Sequence, residues 1–297
     1  MKSIKKYLSL IKFSHTIFAM PFAMIGFFLA IKYADKNISP LHSVVQSNIF
    51  LTKLLEVVLC MIFARSAAMA FNRYLDKSFD AKNPRTAIRE IPAGLIKANH
   101  VLVFTLVCCG LFIGCCWFIN QLCFYLSFVA IAVILFYSYT KRFTALCHLV
   151  LGAGLSLAPI GAYLAVQGEF DALPLLFSFI VLFWVSGFDI IYALQDEAFD
   201  KVHLLHSIPA YVGKEKALII SRLLHAISIL LVLFAGAYGH FGILYWVASA
   251  FFTGMIFYQH SLVRPDDLSK VDGSFMTANG MASLFFSILV ILDLYFH

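Results

Sequence analysis

Nine long apolar stretches dominate this chain and restrict what it can fold into. They lie at about 14–33, 49–71, 101–119, 122–139, 145–166, 172–191, 217–238, 241–258 and 276–296. A helix needs about 20 apolar residues to cross the hydrocarbon core of a bilayer, and a spanning helix satisfies its backbone hydrogen bonds internally. The pattern therefore predicts an all-α polytopic membrane protein with about nine transmembrane helices, with the lipid bilayer as its surroundings.

The distribution of charge supports this class and orients the chain. Of the 297 residues, 62% are hydrophobic and only 13% are charged. Most of the 22 Lys and Arg residues fall in alternate loops, which by the positive-inside rule predicts a cytoplasmic N terminus, cytoplasmic acidic loops and a C terminus on the opposite side of a bacterial-type inner membrane. The net charge of +6 fits basic loops beside anionic headgroups and requires no nucleic-acid partner. No sequence feature indicates an obligate protein partner.

Two acidic clusters lie at the ends of apolar stretches. They are Asn72-x3-Asp76-x3-Asp80 and Asp189-x6-Asp196-x3-Asp200. On a helix, with 100° per residue, the members of each cluster share one face. Carboxylates are costly near hydrocarbon, so a group of them at a membrane edge indicates a functional site.

The spacing of the two clusters is repeated within the chain. It is seven residues and then four in both Arg65/Asn72/Asp76 and Asp189/Asp196/Asp200. The repeat predicts a parallel internal duplication within a single domain, 1–297, with halves of about 1–140 and 141–297. We expect two pseudo-repeated four-helix bundles around a central cavity.

Several carboxylates around one cavity repel each other unless they are protonated or bridged by a metal ion. An oxygen-rich site with room for water suits Mg²⁺, which proteins usually hold through one or two carboxylates plus substrate phosphates. Basic residues in the same loops would help to hold an anion; they are Lys77, Lys82, Arg85, Arg89 and Lys201. At a membrane surface this combination points to a diphosphate on a lipid tail, whose departure a Lewis acid assists.

At these residues the sequence resembles the UbiA-type membrane prenyltransferases. The first stretch, Asn72-Arg-Tyr-Leu-Asp-Lys-Ser-Phe-Asp80 with the following Arg85-Thr86 and Arg89, is similar to the family signature NDxxDxxxD and its trailing segment. The stretch from Asp189 to Lys201, with Ser207-Ile-Pro, resembles the second aspartate-rich motif of the family. A third match is the stretch Tyr137-Ser-Tyr-Thr-Lys-Arg-Phe-Thr144. Two positions depart from the pattern: Arg73 replaces an Asp, and Glu90 replaces a Pro.

The resemblance implies a reaction and a set of site residues. It implies transfer of a polyprenyl group from polyprenyl diphosphate to an aromatic acid acceptor such as 4-hydroxybenzoate, with Mg²⁺, in ubiquinone or menaquinone biosynthesis. The implied metal ligands are Asp76, Asp80, Asp196 and Asp200. The implied diphosphate-binding residues are Asn72, Lys77, Tyr137, Lys141 and Arg142.

Arg65 and Asp189 lie deeper in their helices than the other charged residues. We expect Arg65 to orient the acceptor carboxylate, because a guanidinium fork suits carboxylates, and Asp189 to engage the acceptor hydroxyl or take the ring proton. Alternatively, the two residues form a buried pair that serves only each other. Among the histidines, His15 is a candidate at the entrance of the site, whereas His148 is expected to be a packing residue.

Other functions remain open at this point. A secondary transporter would also have a duplicated bundle with charged residues, although transporter sites usually lie near the bilayer midplane. Another lipid-phosphate transferase with an aspartate motif would bind metal and phosphate in the same way. Within the prenyltransferases, Ala193-Leu-Gln195-Asp196 and His15-Thr-Ile-Phe resemble a branch that acts on a different aromatic acid in the futalosine route to menaquinone.

Overall fold

The computed structural model describes residues 2–11, 19–35 and 43–297, and all regular structure in these ranges is helical. The helices are α1 (Lys2–Leu10), α2 (Met20–Asp35), α3 (Ser43–Leu75), α4 (Lys77–Asp80), α5 (Ala98–Ile119), α6 (Gln121–Thr140), α7 (Cys147–Gln167), α8 (Ala172–Ala193), α9 (Glu197–Val202), α10 (Ile208–Val212), α11 (Lys214–Tyr238), α12 (Ile243–Leu262), α13 (Val271–Gly273) and α14 (Asn279–Phe296). A 3₁₀ turn, Leu194–Asp196, joins α8 to α9, and a π turn, Ser274–Ala278, joins α13 to α14.

The predicted all-α membrane architecture is confirmed. Each of the nine apolar stretches corresponds to one long helix, although residues 14–18 and His15 lie outside the described ranges. In the described part of the chain, seven helices are long and apolar enough to cross a membrane. The other two are α2, which is shorter, and α12, which has Gln259 and His260 near its end. The estimate of about nine spans is therefore approximate.

Helix α8 lies at the centre of the bundle. Its buried positions run along most of its length, and Trp184 packs between Phe22 and Phe252 with ring centroids 5.4 and 5.5 Å away. Phe252 in turn contacts Phe286 of α14 at 5.1 Å. Aromatic contacts from α2 and α12, the latter packed in turn on α14, thus fix α8, which carries Asp189 near its end.

Two glycines allow α7 to approach its neighbours closely. A Cβ atom on Gly152 would lie 2.3 Å from Ser186 Oγ of α8, and one on Gly26 of α2 would lie 2.0 Å from the Pro159 carbonyl oxygen of α7. Small residues at helix interfaces let backbones pack closely within membranes. This packing brings the first turn of α7, including His148, against α8.

The connection between α4 and α5 is folded over one end of the bundle. Turn hydrogen bonds order this segment, and α1 packs beside it. The Ser9 hydroxyl of α1 donates to Glu90 Oε1 at 2.5 Å, and the Lys6 ammonium donates to the Leu95 carbonyl at 3.1 Å. Glu90, one of the two departures from the family pattern, therefore ties α1 to this segment.

Candidate active site

Both acidic clusters line a single cavity of about 710 Å³ at the end of the bundle. Arg85 and Arg89 are among its lining residues, whereas Lys82 and Lys201, two other loop cations expected to help hold an anion, are not. All but one of the predicted catalytic, metal-ligating and diphosphate-binding residues line it: Arg65, Asn72, Asp76, Asp80, Tyr137, Lys141, Arg142, Asp189, Asp196 and Asp200. Lys77 is the exception. Its side chain is exposed, with Nζ 4.2 Å from the centroid of the Tyr74 ring. The structure therefore places Lys77 away from the cavity.

In the first cluster, each carboxylate is paired with a guanidinium. Asp76 accepts hydrogen bonds from Asn72 Nδ2 at 3.0 Å and from Arg142 at 2.9 Å. Burial raises the pKa of the Asp76 carboxyl above its ordinary value, although Arg142 acts in the opposite direction. Asp80 pairs with Arg89 at 2.6 Å, while its second oxygen, Oδ2, is buried and has no hydrogen-bond partner among the described residues.

In the second cluster, each carboxylate again has a basic partner. Arg85 donates to both oxygens of Asp196, from Nε at 3.2 Å and from a terminal nitrogen at 2.5 Å, and Asn83 adds a hydrogen bond at 3.0 Å. Asp200 is fully buried; it pairs with Lys141 at 2.8 Å and accepts from the Ser207 hydroxyl at 2.8 Å.

Basic residues join the two clusters across the cavity. Lys141 and Arg142 are adjacent in sequence, yet Lys141 pairs with Asp200 of the second cluster and Arg142 with Asp76 of the first. Arg85 comes from the segment after the first cluster and pairs with Asp196 of the second. Burial acts to lower the pKa of Lys141, but the Asp200 carboxylate and its hydrogen bond together raise it above the ordinary value.

Arg65 and Asp189 do not form the buried pair that the sequence left open. Asp189 Oδ2 lies 2.7 Å from Nδ1 of His148. Arg65 has no ion-pair partner in the described part of the chain, and its buried Nε has no hydrogen-bond partner there. The alternative in which these two residues serve only each other is therefore wrong.

Sequence reasoning missed several residues that contribute to the site. His148 was expected to be a packing residue, but it is hydrogen-bonded to Asp189. Tyr192 accepts a hydrogen bond from Arg85 at 2.9 Å. Arg73 lines the cavity with its buried Nε unpartnered among the described residues. The sequence did carry a signal for Arg73, because this residue replaces an Asp of the family pattern. The residues around His148 gave no comparable signal.

A second, apolar cavity of about 310 Å³ continues from the first. The two cavities share the lining residues Arg65, Met69, Tyr137, Leu151 and Leu155. Small and aliphatic side chains of α3, α5, α6 and α7 form most of its wall, and it extends to Ile119 and Ala165. The combined space therefore has a charged end and an apolar end.

The residues of the charged cavity fit Mg²⁺ accompanied by an anion. The cavity wall carries nearly equal numbers of basic and acidic side chains. The basic ones are Arg65, Arg73, Arg85, Arg89, Lys141 and Arg142, and the acidic ones are Asp76, Asp80, Glu90, Asp189, Asp196, Asp200 and Asp272. A diphosphate entering this balanced site brings excess negative charge, which a divalent cation would neutralise. The unpartnered Asp80 Oδ2 offers it a ligand.

No three His, Cys, Asp or Glu side chains of the described residues are grouped closely enough to hold a metal ion by themselves. This agrees with Mg²⁺ chemistry, in which one or two carboxylates act together with substrate phosphates.

Comparison with known proteins assigns the chain to a family. Residues 19–289 match the UbiA prenyltransferase family. The chain belongs to this family. Among curated relatives of this UbiA protein, the 4-hydroxybenzoate octaprenyltransferase of Tolumonas auensis is 30% identical over 75% of the chain and 78% of the relative. The enzyme of the same name from Aeromonas hydrophila is 29% identical over 80% of the chain and 83% of the relative.

Solved structures agree with the assignment. A UbiA homologue from Aeropyrum pernix superposes with a TM-score of 0.81 at 28% identity, covering 94% of this UbiA protein and 98% of the homologue. A homologue from Archaeoglobus fulgidus, bound to DMAPP and Mg²⁺, shares the fold with a TM-score of 0.74 at 20% identity, covering 98% and 99% of the two chains. Family membership and the seven apolar helices make this an integral membrane protein.

Proposed function

We propose that this UbiA protein transfers a polyprenyl group from polyprenyl diphosphate to an aromatic acid such as 4-hydroxybenzoate, in a reaction that requires Mg²⁺. The observation that carries the proposal is the joining of the two acidic clusters by Lys141, Arg142 and Arg85 around one cavity. That cavity continues into an apolar one. The names of the curated relatives support the same reaction.

The charged end of the cavity holds the diphosphate in this proposal. Carboxylates of the two clusters, from the set Asp76, Asp80, Asp196 and Asp200 with Asn72 assisting, would hold Mg²⁺ together with oxygens of the diphosphate. When bound, the metal ion supplies the Lewis acidity that lowers the cost of diphosphate departure. Lys141 and Arg142 then exchange a carboxylate partner for diphosphate oxygens, and Tyr137, one helical turn before Lys141, lines the same wall.

The apolar cavity holds the isoprenoid tail. It begins at Tyr137 and Arg65, where the diphosphate end stops, and its aliphatic walls match a hydrocarbon chain. In this proposal the allylic carbon lies at the junction of the two cavities. The same junction contains Arg65, so the reacting carbon of the donor and the acceptor site are adjacent.

The acceptor is held at that junction by the two deeper residues. Arg65, which has no ion-pair partner among the described residues, binds the carboxylate of the aromatic acid through its planar fork. Asp189 faces the ring hydroxyl or the ring carbon that reacts. Cleavage of the carbon–oxygen bond leaves an allylic cation and diphosphate. The ring carbon ortho to the hydroxyl forms the new carbon–carbon bond, and Asp189 takes the proton that this carbon loses.

The proposed location is the bacterial-type cytoplasmic membrane, with the N terminus and the charged cavity on the cytoplasmic side. The concentration of basic residues in the loops around the acidic clusters supports this orientation.

The product would enter ubiquinone or menaquinone biosynthesis. A different aromatic acid, as in the futalosine route, is the second candidate acceptor. A transporter is not favoured, because the clusters lie at one end of the bundle.

The direct test incubates purified protein with Mg²⁺, polyprenyl diphosphates of several lengths and a panel of hydroxybenzoates, aminobenzoates and bicyclic aromatic acids. Products are identified by mass. We expect one acceptor to gain a prenyl group with release of diphosphate, and chelation of Mg²⁺ to stop the reaction. Absence of any magnesium-dependent prenylated product would overturn the proposal.

A further inference from the structure

His148, which the proposed reaction does not use, is hydrogen-bonded through both ring nitrogens. The residue is 2% exposed. Its Nδ1 lies 2.7 Å from Asp189 Oδ2, and its Nε2 lies 3.3 Å from the backbone nitrogen of Ile208. Ser186 Oγ of α8 donates to the His148 carbonyl at 3.1 Å and so fixes the backbone of the first turn of α7. The imidazole is therefore held at both of its nitrogens, and the backbone that carries it is held as well.

These partners select one tautomer of the ring. A peptide N–H can only donate, so Nε2 of His148 accepts the hydrogen bond from Ile208 and carries no proton. The ring proton then lies on Nδ1, which donates to Asp189. A proton on Nε2 would face the Ile208 N–H and remove this bond, because the group on one ring nitrogen governs the state of the other.

The segment that contributes Ile208 also contacts the metal-binding side of the cavity. Ser207 donates to Asp200 Oδ2 at 2.8 Å, and its own Oγ accepts from the Ala210 N–H at the start of α10. The first N–H groups of a helix have no partner within that helix, so the N–H of Ile208 is available to His148. Ser207-Ile-Pro, which sequence reasoning identified without a role, therefore connects Asp200 to Asp189 through a short series of hydrogen bonds.

We propose that His148 is a positioning residue for Asp189. Its Nδ1–H fixes one oxygen of the carboxylate, which leaves the other for the acceptor. Because the Ile208 N–H occupies Nε2, the imidazole has no free nitrogen with which to accept a proton from substrate, so Asp189 and not His148 is the base. This inference rests on the proposed prenyl transfer and adds a residue to its acceptor side.

Two substitutions separate this role from simple packing. His148→Phe keeps a ring of similar volume but donates no hydrogen bond. His148→Asn keeps a donor at the position of Nδ1, and its shorter side chain does not reach Ile208. Since both variants lose the Ile208 bond, the difference between them isolates the bond to Asp189.

Steady-state kinetics on the two variants give the first measurement. Loss of a hydrogen bond to a charged group predicts that His148→Phe lowers kcat by about tenfold to a hundredfold. His148→Asn should restore kcat to within about threefold of the wild type, and KM for the prenyl diphosphate should stay unchanged in both. Equal kcat in the wild type and His148→Phe, failure of the Asn variant to recover, or a parallel rise in KM for the donor would each overturn the inference.

Nuclear magnetic resonance gives a second measurement that does not depend on the acceptor. In wild-type protein labelled with ¹⁵N-histidine, the ring shifts of His148, assigned by comparison with the Asn variant, should show a neutral imidazole protonated at Nδ1. A proton on Nε2 would overturn the inference even if the enzyme is active. Conversely, the expected tautomer in a protein that prenylates no acceptor would support the hydrogen bonding while refuting the proposed reaction.

Discussion

The two acidic clusters begin at the ends of helices α3 and α8 and continue into the turns and short helices that follow, but the two helices hold their deeper residues in different ways. Of the 18 most apolar consecutive residues in each span, 61% are buried in the span that contains α8 and only 22% in the span that contains α3. Asp189 of α8 is fixed by His148, whereas Arg65 of α3 lies beside the apolar cavity with its Nε unpartnered among the described residues.

In the proposed reaction, this difference matches two different tasks, although the similar spacing of Arg65 and Asp189 would suggest that the two residues act alike. A carboxylate that must take a proton needs a fixed orientation, which a central helix provides. An arginine that must bind a carboxylate needs an unoccupied fork, which a less enclosed helix provides. Positions equivalent in spacing therefore carry opposite charges, and we expect substitutions at Asp189 and Arg65 to change different kinetic constants.

The largest effect is expected at Asp189. Asp189→Asn keeps the size of the side chain and a partner for His148 but removes the basic carboxylate. We expect kcat to fall by about a hundredfold to ten-thousandfold, the usual contribution of a general base. KM for the prenyl diphosphate should not change. An Asn variant that binds metal and diphosphate normally and still prenylates at full rate would remove Asp189 from the chemistry.

A smaller effect of a different kind is expected at Arg65. Arg65→Gln loses the charge-assisted hydrogen bonds to the acceptor carboxylate, so KM for the acceptor should rise by about tenfold to a hundredfold. The matched control is an acceptor that lacks the carboxylate, for which wild type and variant should have similar kcat/KM. If the variant loses equal activity toward both acceptors, Arg65 acts elsewhere.

Substitution of the basic residues between the clusters should change KM for the donor, prenyl diphosphate, and not KM for the acceptor. Lys141→Gln and Arg142→Gln each remove one cation that is available to the diphosphate, and we expect KM for the prenyl diphosphate to rise about tenfold in each. KM for the acceptor serves as the internal control and should stay constant. A change confined to the acceptor would contradict the division of the cavity into two ends.

The smallest effect is expected at Lys77, although the sequence suggested a role in diphosphate binding. Its exposed side chain lies over Tyr74 and away from the cavity. Lys77→Ala should therefore change the free energy of unfolding by no more than about 0.5 kcal/mol, as is usual for surface substitutions. Because the side chain does not line the cavity, kcat and both KM values should stay close to those of the wild type. A rise in KM for the prenyl diphosphate comparable to that of Lys141→Gln would return Lys77 to the site.

Much of the fold and part of the site followed from local patterns in the sequence. Apolar length predicts spanning helices, and regular spacing places Asp76 and Asp80 on one helix face; neither requires knowledge of the tertiary structure. The segment from Glu90 to Ile96 and the placement of Lys77 depend on turns and packing that local spacing does not encode. The division of the chain into duplicated halves stays a prediction.

Partner choice could not be predicted for a related reason. Lys141 and Arg142 are adjacent, and only the tertiary arrangement decides that they pair with different clusters. His148 and Asp189 are 41 residues apart and meet because Gly152 lets α7 pack closely on α8. The sequence identifies charged residues that need partners, but it does not match them over such separations.

The crossed pairing of Lys141 and Arg142 has a consequence for how the chain is made. Asp76 leaves the ribosome 66 residues before its partner Arg142, and Lys141 leaves 59 residues before Asp200. A fragment that ends at residue 140 would expose Asp76 without Arg142, and the remainder would carry both cations without Asp76. Neither fragment is electrostatically complete, so the charge pairing of the first cluster can be finished only after the segment that carries Arg142 has been synthesised.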